Sequence, residues 1–302
     1  MKHRHMIGCL LATALCAGPA AAQELTGTLK NIKDTGAITL GFRDSSIPFS
    51  YLDDNQKPVG YAMDICYKIV DAVKKELKLD KLEVKLNPVT SSTRIPLLAN
   101  GTIDLECGST TNNVERQKQI AYTNTHFLTA SRYVTKKSSK INSIDDLKGK
   151  SVVSTAGTTN IKQLTEANAE RKLGANIIPA KDHAEAFLMV ETDRAVAFVM
   201  DDILLASLVA GSKAPDDYTI SKDAFSKPEP YGIMLRKDDP AFKKVVDAAT
   251  AAIYASEGQK IYDKWFTQKI PPKGLNLNTP ISSELKNEFA KPSDSPDPDS
   301  YK

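Results

Sequence analysis

Histidine is scarce in this chain: four occur in 302 residues, and His3 and His5 lie within the first five positions. A metal centre built from two or three histidines is therefore not expected. No long hydrophobic run occurs either. The most apolar stretch, 6–17, falls short of the roughly 20 residues that a bilayer-spanning helix needs. Charge of one sign is also missing, since 40 basic residues face 37 acidic ones. That balance leaves no broad basic field for nucleic acid or an anionic membrane. Gly-x-Ser-x-Gly, His-Glu-x-x-His, the phosphate-binding P-loop and the dinucleotide fingerprint are all absent, so the corresponding catalytic classes lose their usual signatures. No cofactor and no catalytic group is expected.

What is present fits a soluble globular protein: 41% hydrophobic, 25% charged, with 15 glycines and 16 prolines. Single cores stop growing near roughly 250 to 300 residues, so this length favours two compact units. The start of the chain reads as an address. Lys2 and Arg4 precede the apolar run, which ends in Gly18-Pro19 and the small residues Ala20-Ala21-Ala22 before Gln23. This is the pattern of a secretory signal peptide cleaved after Ala22. Loss of Lys2 and Arg4 takes the formal charge from +3 to +1. Cleavage also removes Cys9 and Cys16, leaving Cys66 and Cys107 in a compartment that permits disulfides. They are either bridged, closing a loop of about 40 residues, or two buried thiols.

From residue 38 short apolar strands alternate with amphipathic helices, which predicts parallel sheets covered by helices, an α/β class. Strands are expected at 38–42, 82–86, 103–107, 132–135, 151–154, 176–179, 196–200 and 231–235. Helices are expected at 63–77, 182–192, 203–210, 240–255 and 258–266. In the first of these Ile65, Ile69, Val70 and Val73 share one stripe. The segments 91–109 and 183–201 both run helix, apolar strand, polar residue, which suggests two similar lobes. Chain crossings near 128–131 and 226–230 make the first lobe discontinuous: 23–129 with 228–290 form lobe 1, and 130–227 form lobe 2. Pro, Ser and Asp dominate 291–302, which reads as a flexible tail.

Ligands of open α/β sheets bind beyond the carboxyl ends of the strands, where helix N-termini converge. Those positions hold Arg43; Ser91 with Arg94 one turn on; and Ser109, Thr110 and Thr111. Arg116 can reach back to the same place. In the second lobe they hold Gly157-Thr158-Thr159, His183 and Asp201. The set suits a small ligand with more than one anionic group and one cationic group. Each member also has an ordinary role: Arg43 can pair with Asp44 at the surface, Arg94 and Arg116 can be solvated, and Ser109, Thr111 and Asp201 can cap helices. Co-location at strand ends in two lobes favours the binding role.

Three further stretches carry a resemblance: 41–51, with Gly41-Phe42-Arg43-Asp44; 90–98, with Thr90-Ser91-Ser92-Thr93-Arg94; and 106–116, with Glu106-Cys107-Gly108-Ser109-Thr110-Thr111 and Arg116. With Lys181-Asp182-His183, Met200-Asp201-Asp202 and 234–240 they resemble the periplasmic glutamate/aspartate-binding proteins of ABC amino-acid importers, solute-binding protein family 3. The resemblance implies a type II periplasmic-binding fold, two α/β lobes joined by two crossing strands around a cleft. It also implies roles. Arg116, Ser109 and Thr159 would hold an α-carboxylate, Asp201 and Thr111 an α-ammonium, and Arg43, Ser91, Arg94 and His183 a side-chain carboxylate. Expected partners are L-glutamate or L-aspartate and a membrane permease, with the protein a periplasmic monomer. Two departures stand out: Ile233 replaces the usual partner of Cys107, and Ser46 replaces an aromatic lid. The competing readings are a secreted enzyme on this fold, such as a cyclohexadienyl dehydratase using Glu106 or His183, and a binder of another polar amino acid.

Overall fold

The computed structural model describes residues 25–272 and 274–301. The expected leader, 1–22, lies outside the described residues. The apolar run Ala37–Phe42 forms an inner strand of a five-stranded sheet ordered Glu83–Pro88, Ala37–Phe42, Leu105–Cys107, Met234–Arg236, Ile120–Tyr122. Its first three strands are parallel, and Met234–Arg236 runs antiparallel to both its neighbours. A second sheet repeats the plan in the order Asn176–Ala180, Ser151–Thr155, Ala197–Asp201, Ser131–Lys136, Tyr218–Ile220. Parallel neighbours require crossovers. In the first sheet they run through Tyr61–Glu76 and Arg94–Ala99, in the second through Thr159–Glu170 and His183–Glu191. The α/β class and the two-lobed plan read from the alternating pattern are both present.

The chain passes between the sheets twice, at Phe127–Thr129 and Glu229–Tyr231. These segments pair antiparallel over three positions, with Tyr231 opposite Phe127. Both rings are sunk into the first lobe. Phe127 lies 4.9 Å from Phe49 and from Phe266, and Tyr231 lies 5.2 Å from Phe49. Aromatic pairs of this kind contribute about 0.5–1.5 kcal/mol each beyond area burial. The crossing is thus anchored on one side, and the second lobe hangs from it.

Three expectations need correction. The helices expected at 240–255 and 258–266 form one helix, Pro240–Phe266. Gly258 does not break it; a Cβ there would meet the Phe289 ring at 2.9 Å, so the glycine makes room for the helix Ser283–Ala290. The strand expected at 231–235 divides into Glu229–Tyr231 in the crossing and Met234–Arg236 in the sheet. Third, the described part of the expected tail, 291–301, is not loose. Ser293 accepts from the Thr125 amide at 2.8 Å, and the Asp294 carbonyl accepts from Asn112 and Gln117 at 2.9 and 3.0 Å. Tyr301 is buried, with its hydroxyl 2.8 Å from Thr125 Oγ1. Composition missed this because the partners are backbone carbonyls and one aromatic ring, which leave no hydrophobic period.

Cys66 and Cys107 are bridged, with Cα atoms 6.2 Å apart. The bond ties the inner face of Tyr61–Glu76 to the strand Leu105–Cys107. Ile233 is fully buried. Among the described residues no helix is long and apolar enough to cross a membrane. Closing a loop of 41 residues lowers the entropy of the unfolded chain. Replacing both cysteines by alanine is expected to lower unfolding free energy by about 4 kcal/mol in that loop-entropy model. Urea titration checks this, and an unchanged midpoint would contradict it.

Candidate functional site

Strand register builds the site. Phe42 stands level with Pro88 and with Cys107, so the residues following all three strands emerge at one edge of the first sheet. In the second sheet Thr155 stands level with Ala180, and Ser154 with Val199, which brings Ala156–Thr159, His183 and Asp201 to the facing edge. Between the edges lies a small cavity of about 10 Å³. The first lobe contributes Ser91, Arg94, Ser109, Thr111 and Arg116; the second contributes Thr158, Thr159, Asn160, His183 and Asp201, with Met200 and Leu204 as its apolar wall. Eight of the nine residues singled out from sequence line it. The ninth, Arg43, stands behind Ser91 and donates to its Oγ at 2.7 Å.

The arginines are not solvated. Arg43, Arg94 and Arg116 are 3%, 2% and 8% exposed, which excludes a surface pair between Arg43 and Asp44 as the main role of that side chain. Arg94 Nη1 donates to Thr110 Oγ1 at 2.5 Å and to the Ser109 carbonyl at 3.2 Å. Arg116 Nη1 donates to the Thr111 carbonyl at 2.9 Å, and Nη2 reaches across the cleft to the Gly157 carbonyl at 3.3 Å. Burial lowers the Arg94 guanidinium to about 9 and pulls Arg43 down as well; in both cases the Glu106 carboxylate opposes this. Both remain cations at neutral pH. Arg43 Nη1, Arg94 Nε and Ser109 Oγ are buried with no hydrogen-bond partner in the chain. An unmet buried polar group costs about 1–3 kcal/mol, so these three atoms call for an acceptor.

On the opposite wall Asp201 accepts from Asn160 Nδ2 at 2.7 Å and from the Tyr231 hydroxyl. Asp201 precedes the helix Asp202–Gly211, yet its side chain caps nothing. Burial raises its carboxyl above the ordinary value, and the bonds from Tyr231 and Asn160 oppose the rise. Glu229 is pushed up to about 8 by burial and then by Asp201; it accepts from Gln163 Nε2 at 2.6 Å. His183 is buried, its Nδ1 is 2.8 Å from Thr155 Oγ1, and burial together with Arg43 and Arg94 holds it neutral. Ser109 and Thr111 are not helix caps. Asn113 caps the short helix Val114–Gln117, and Thr111 bridges to Tyr231. Ser46 is buried and lies outside the cavity lining. Among the described residues no group of His, Cys, Asp and Glu is placed to hold a metal ion.

Sequence reasoning passed over Asn160, Thr155, Tyr231 and the pairing role of Glu106. None of them is named by spacing, since each works through a residue distant in sequence. Only Glu106, a charge inside an otherwise apolar strand, carried a local signal.

The model of the bacterial extracellular solute-binding proteins, family 3, matches residues 38–268. The chain belongs to this family. It is 57% identical over 96% of its length, and 96% of the relative's, to the L-glutamate/L-aspartate-binding protein of Pseudomonas aeruginosa. It is 50% identical to the glutamate/aspartate import solute-binding protein of Escherichia coli, over 97% of this chain and 99% of that one. Among solved structures, an ancestral amino-acid-binding protein described as a precursor of cyclohexadienyl dehydratase superposes with a TM-score of 0.67 at 28% identity, covering 80% of this chain and 100% of that one.

Gly157 packs directly against the first lobe. Its φ is +76°, and a Cβ there would stand 2.7 Å from Ser92 Cα and 2.8 Å from the Ser91 carbonyl carbon. Alanine is expected to cost about 1 kcal/mol for the left-handed backbone and, beyond that, to hold the lobes apart. Small-angle scattering checks this: the radius of gyration of Gly157→Ala should exceed that of the wild type. Equal radii would show that the contact does not limit closure.

Proposed function

We propose that the protein is an extracytoplasmic receptor that captures L-glutamate or L-aspartate between its lobes and delivers it to the membrane permease of an ABC importer. The observation that carries this reading is the gathering of three buried guanidiniums and one carboxylate around a single cavity built from both lobes. Arg presents a planar fork suited to carboxylate, and buried charges persist only when paired. Arg116, with Ser109 and Thr159, takes the α-carboxylate. Asp201 and Thr111 take the α-ammonium. Arg43, Arg94, Ser91 and neutral His183 take the side-chain carboxylate, which supplies the acceptor that Arg43 Nη1 and Arg94 Nε require. The names of the Pseudomonas and Escherichia relatives support the same ligands and an import role.

The ligand touches both lobes, so it binds the closed arrangement better and shifts the equilibrium toward it. Residues 25–129 with 228–272 and 274–290 move as one lobe, 130–227 as the other, and 291–301 travel with the first through Thr125 and Asn112. Export to the periplasm, with cleavage after Ala22, completes the reading. An enzymatic role would need a free general acid or base in the cleft. His183 is held by Thr155 and Glu106 by Thr110 and Arg94, so neither is favoured for that task.

Calorimetry on the mature chain tests this. Glutamate or aspartate should bind at micromolar or tighter dissociation constants, weakened at least about tenfold by Arg43→Ala or Arg116→Ala. Preference for glutamine, arginine or histidine overturns the assignment. A pH series supplies a second check. Asp201 must be ionised to meet the ammonium, and its carboxyl is raised. Affinity should therefore fall as pH drops through that raised value, with a proton released on binding in the same window. Affinity unchanged across mildly acidic pH contradicts the role of Asp201.

A further inference from the structure

We infer that Glu106 determines specificity by setting at one the number of negative charges that the side-chain end of the cleft accepts. The inference rests on the proposed binding of an acidic amino acid and goes beyond it, since Glu106 does not line the cavity. It stands in Leu105–Cys107, between Ala37–Phe42 and Met234–Arg236, and is fully buried. One carboxylate oxygen, Oε2, accepts from Thr110 Oγ1 at 2.6 Å, and that hydroxyl accepts in turn from Arg94 Nη1 at 2.5 Å. The other, Oε1, makes no hydrogen bond and lies 3.8 Å from Arg94 Nη1. Its charge also acts on Arg43. A Cβ at Gly108 would stand 2.4 Å from Glu106 Oε1 and 3.0 Å from Arg43 Cγ, so the glycine leaves the space in which the carboxylate and the stem of Arg43 lie together.

Among the buried charges, two guanidiniums and one carboxylate leave a single uncompensated positive charge at this end of the cleft; exposed Asp44 and half-buried Asp182 act on Arg43 from outside it, and Arg116 serves the other end. One ligand carboxylate neutralises it. A neutral amide leaves a buried cation, and a dianionic group leaves a buried anion; both are penalised because buried charge is tolerated only when paired. His183 adds nothing to the count because it is neutral. Asp201 belongs to the opposite wall, where it is held by Asn160 and Tyr231. Without the charge on Glu106, the same end would carry two positive charges and match a dianion.

The test compares L-glutamate with O-phospho-L-serine, whose side chain is similar in length and ends in a phosphate that is mostly dianionic at about pH 7.5. Affinities of both are measured by calorimetry for wild-type mature protein, Glu106→Gln and Glu106→Asp. Wild type should favour glutamate by about a hundredfold or more, and Glu106→Gln should move the ratio at least about tenfold toward phosphoserine. Glu106→Asp keeps the charge and should keep the wild-type preference. A folded Glu106→Gln with an unmoved ratio, or equal shifts in both variants, overturns the inference. Wild type gives an independent reading should the variants not fold. Lowering pH from about 7.5 to about 5 turns the phosphate into a monoanion and should raise phosphoserine affinity relative to glutamate about tenfold; no relative rise overturns it. Wild type that binds neither glutamate nor aspartate overturns the underlying reading as well, whereas glutamate binding without these shifts overturns the role of Glu106 alone.

Discussion

Burying a guanidinium without a counter-charge is among the most costly things a fold can do, and this chain buries three beside one cavity. Much of the architecture around the cleft answers that cost. Glu106 and Thr110 lie under Arg94, Ser91 receives Arg43, and the carbonyls of Thr111 and Gly157 receive Arg116. The pairing is deliberately incomplete in chemical terms. Donors on Arg43, Arg94 and Ser109 stay without partners in the chain, so the site is organised for an acceptor that the protein does not supply.

The same constraint explains why two lobes are needed. One sheet edge supplies the guanidiniums and the other supplies Asp201, Asn160 and His183. Only their approach excludes water and makes the electrostatics strong. Contacts across the cleft include Arg116 to Gly157, Thr111 beside Thr159 at 3.4 Å, and Tyr231 to Asp201. Tyr231 has two duties here. Its ring packs on Phe49 in the first lobe while its hydroxyl meets Asp201 from the second, so the crossing strand and the wall that carries Asp201 are mechanically joined.

Much of this was legible in the chain itself. Runs such as 37–42 and 151–155 are apolar because both faces of a parallel strand are covered, and the polar residue after each run marks the edge where ligands bind. That reasoning reached Arg43, Ser91, Ser109, Thr159 and Asp201 without any knowledge of their neighbours. It failed where the deciding partner was remote. Gly258 looks like a helix break until Phe289, thirty-one residues later, is seen to lie against it. The segment 291–301 looks disordered until Thr125 and Asn112 are placed beneath it.

What the sequence by itself determined was the alternation of strands and helices, the two-lobed plan and the residue types at the strand ends, because these follow from local periodicity and from the position of each residue relative to its own strand. What only the tertiary structure decided was who partners whom. The Cys66–Cys107 bond, the placement of Glu106 beside Arg94, the neutral state of His183 and the hold of Tyr231 on Asp201 all depend on burial and on contacts between segments distant in the chain. Charge and hydrogen bonding act through space at a few ångströms, and the dielectric they feel is set by the packing around them.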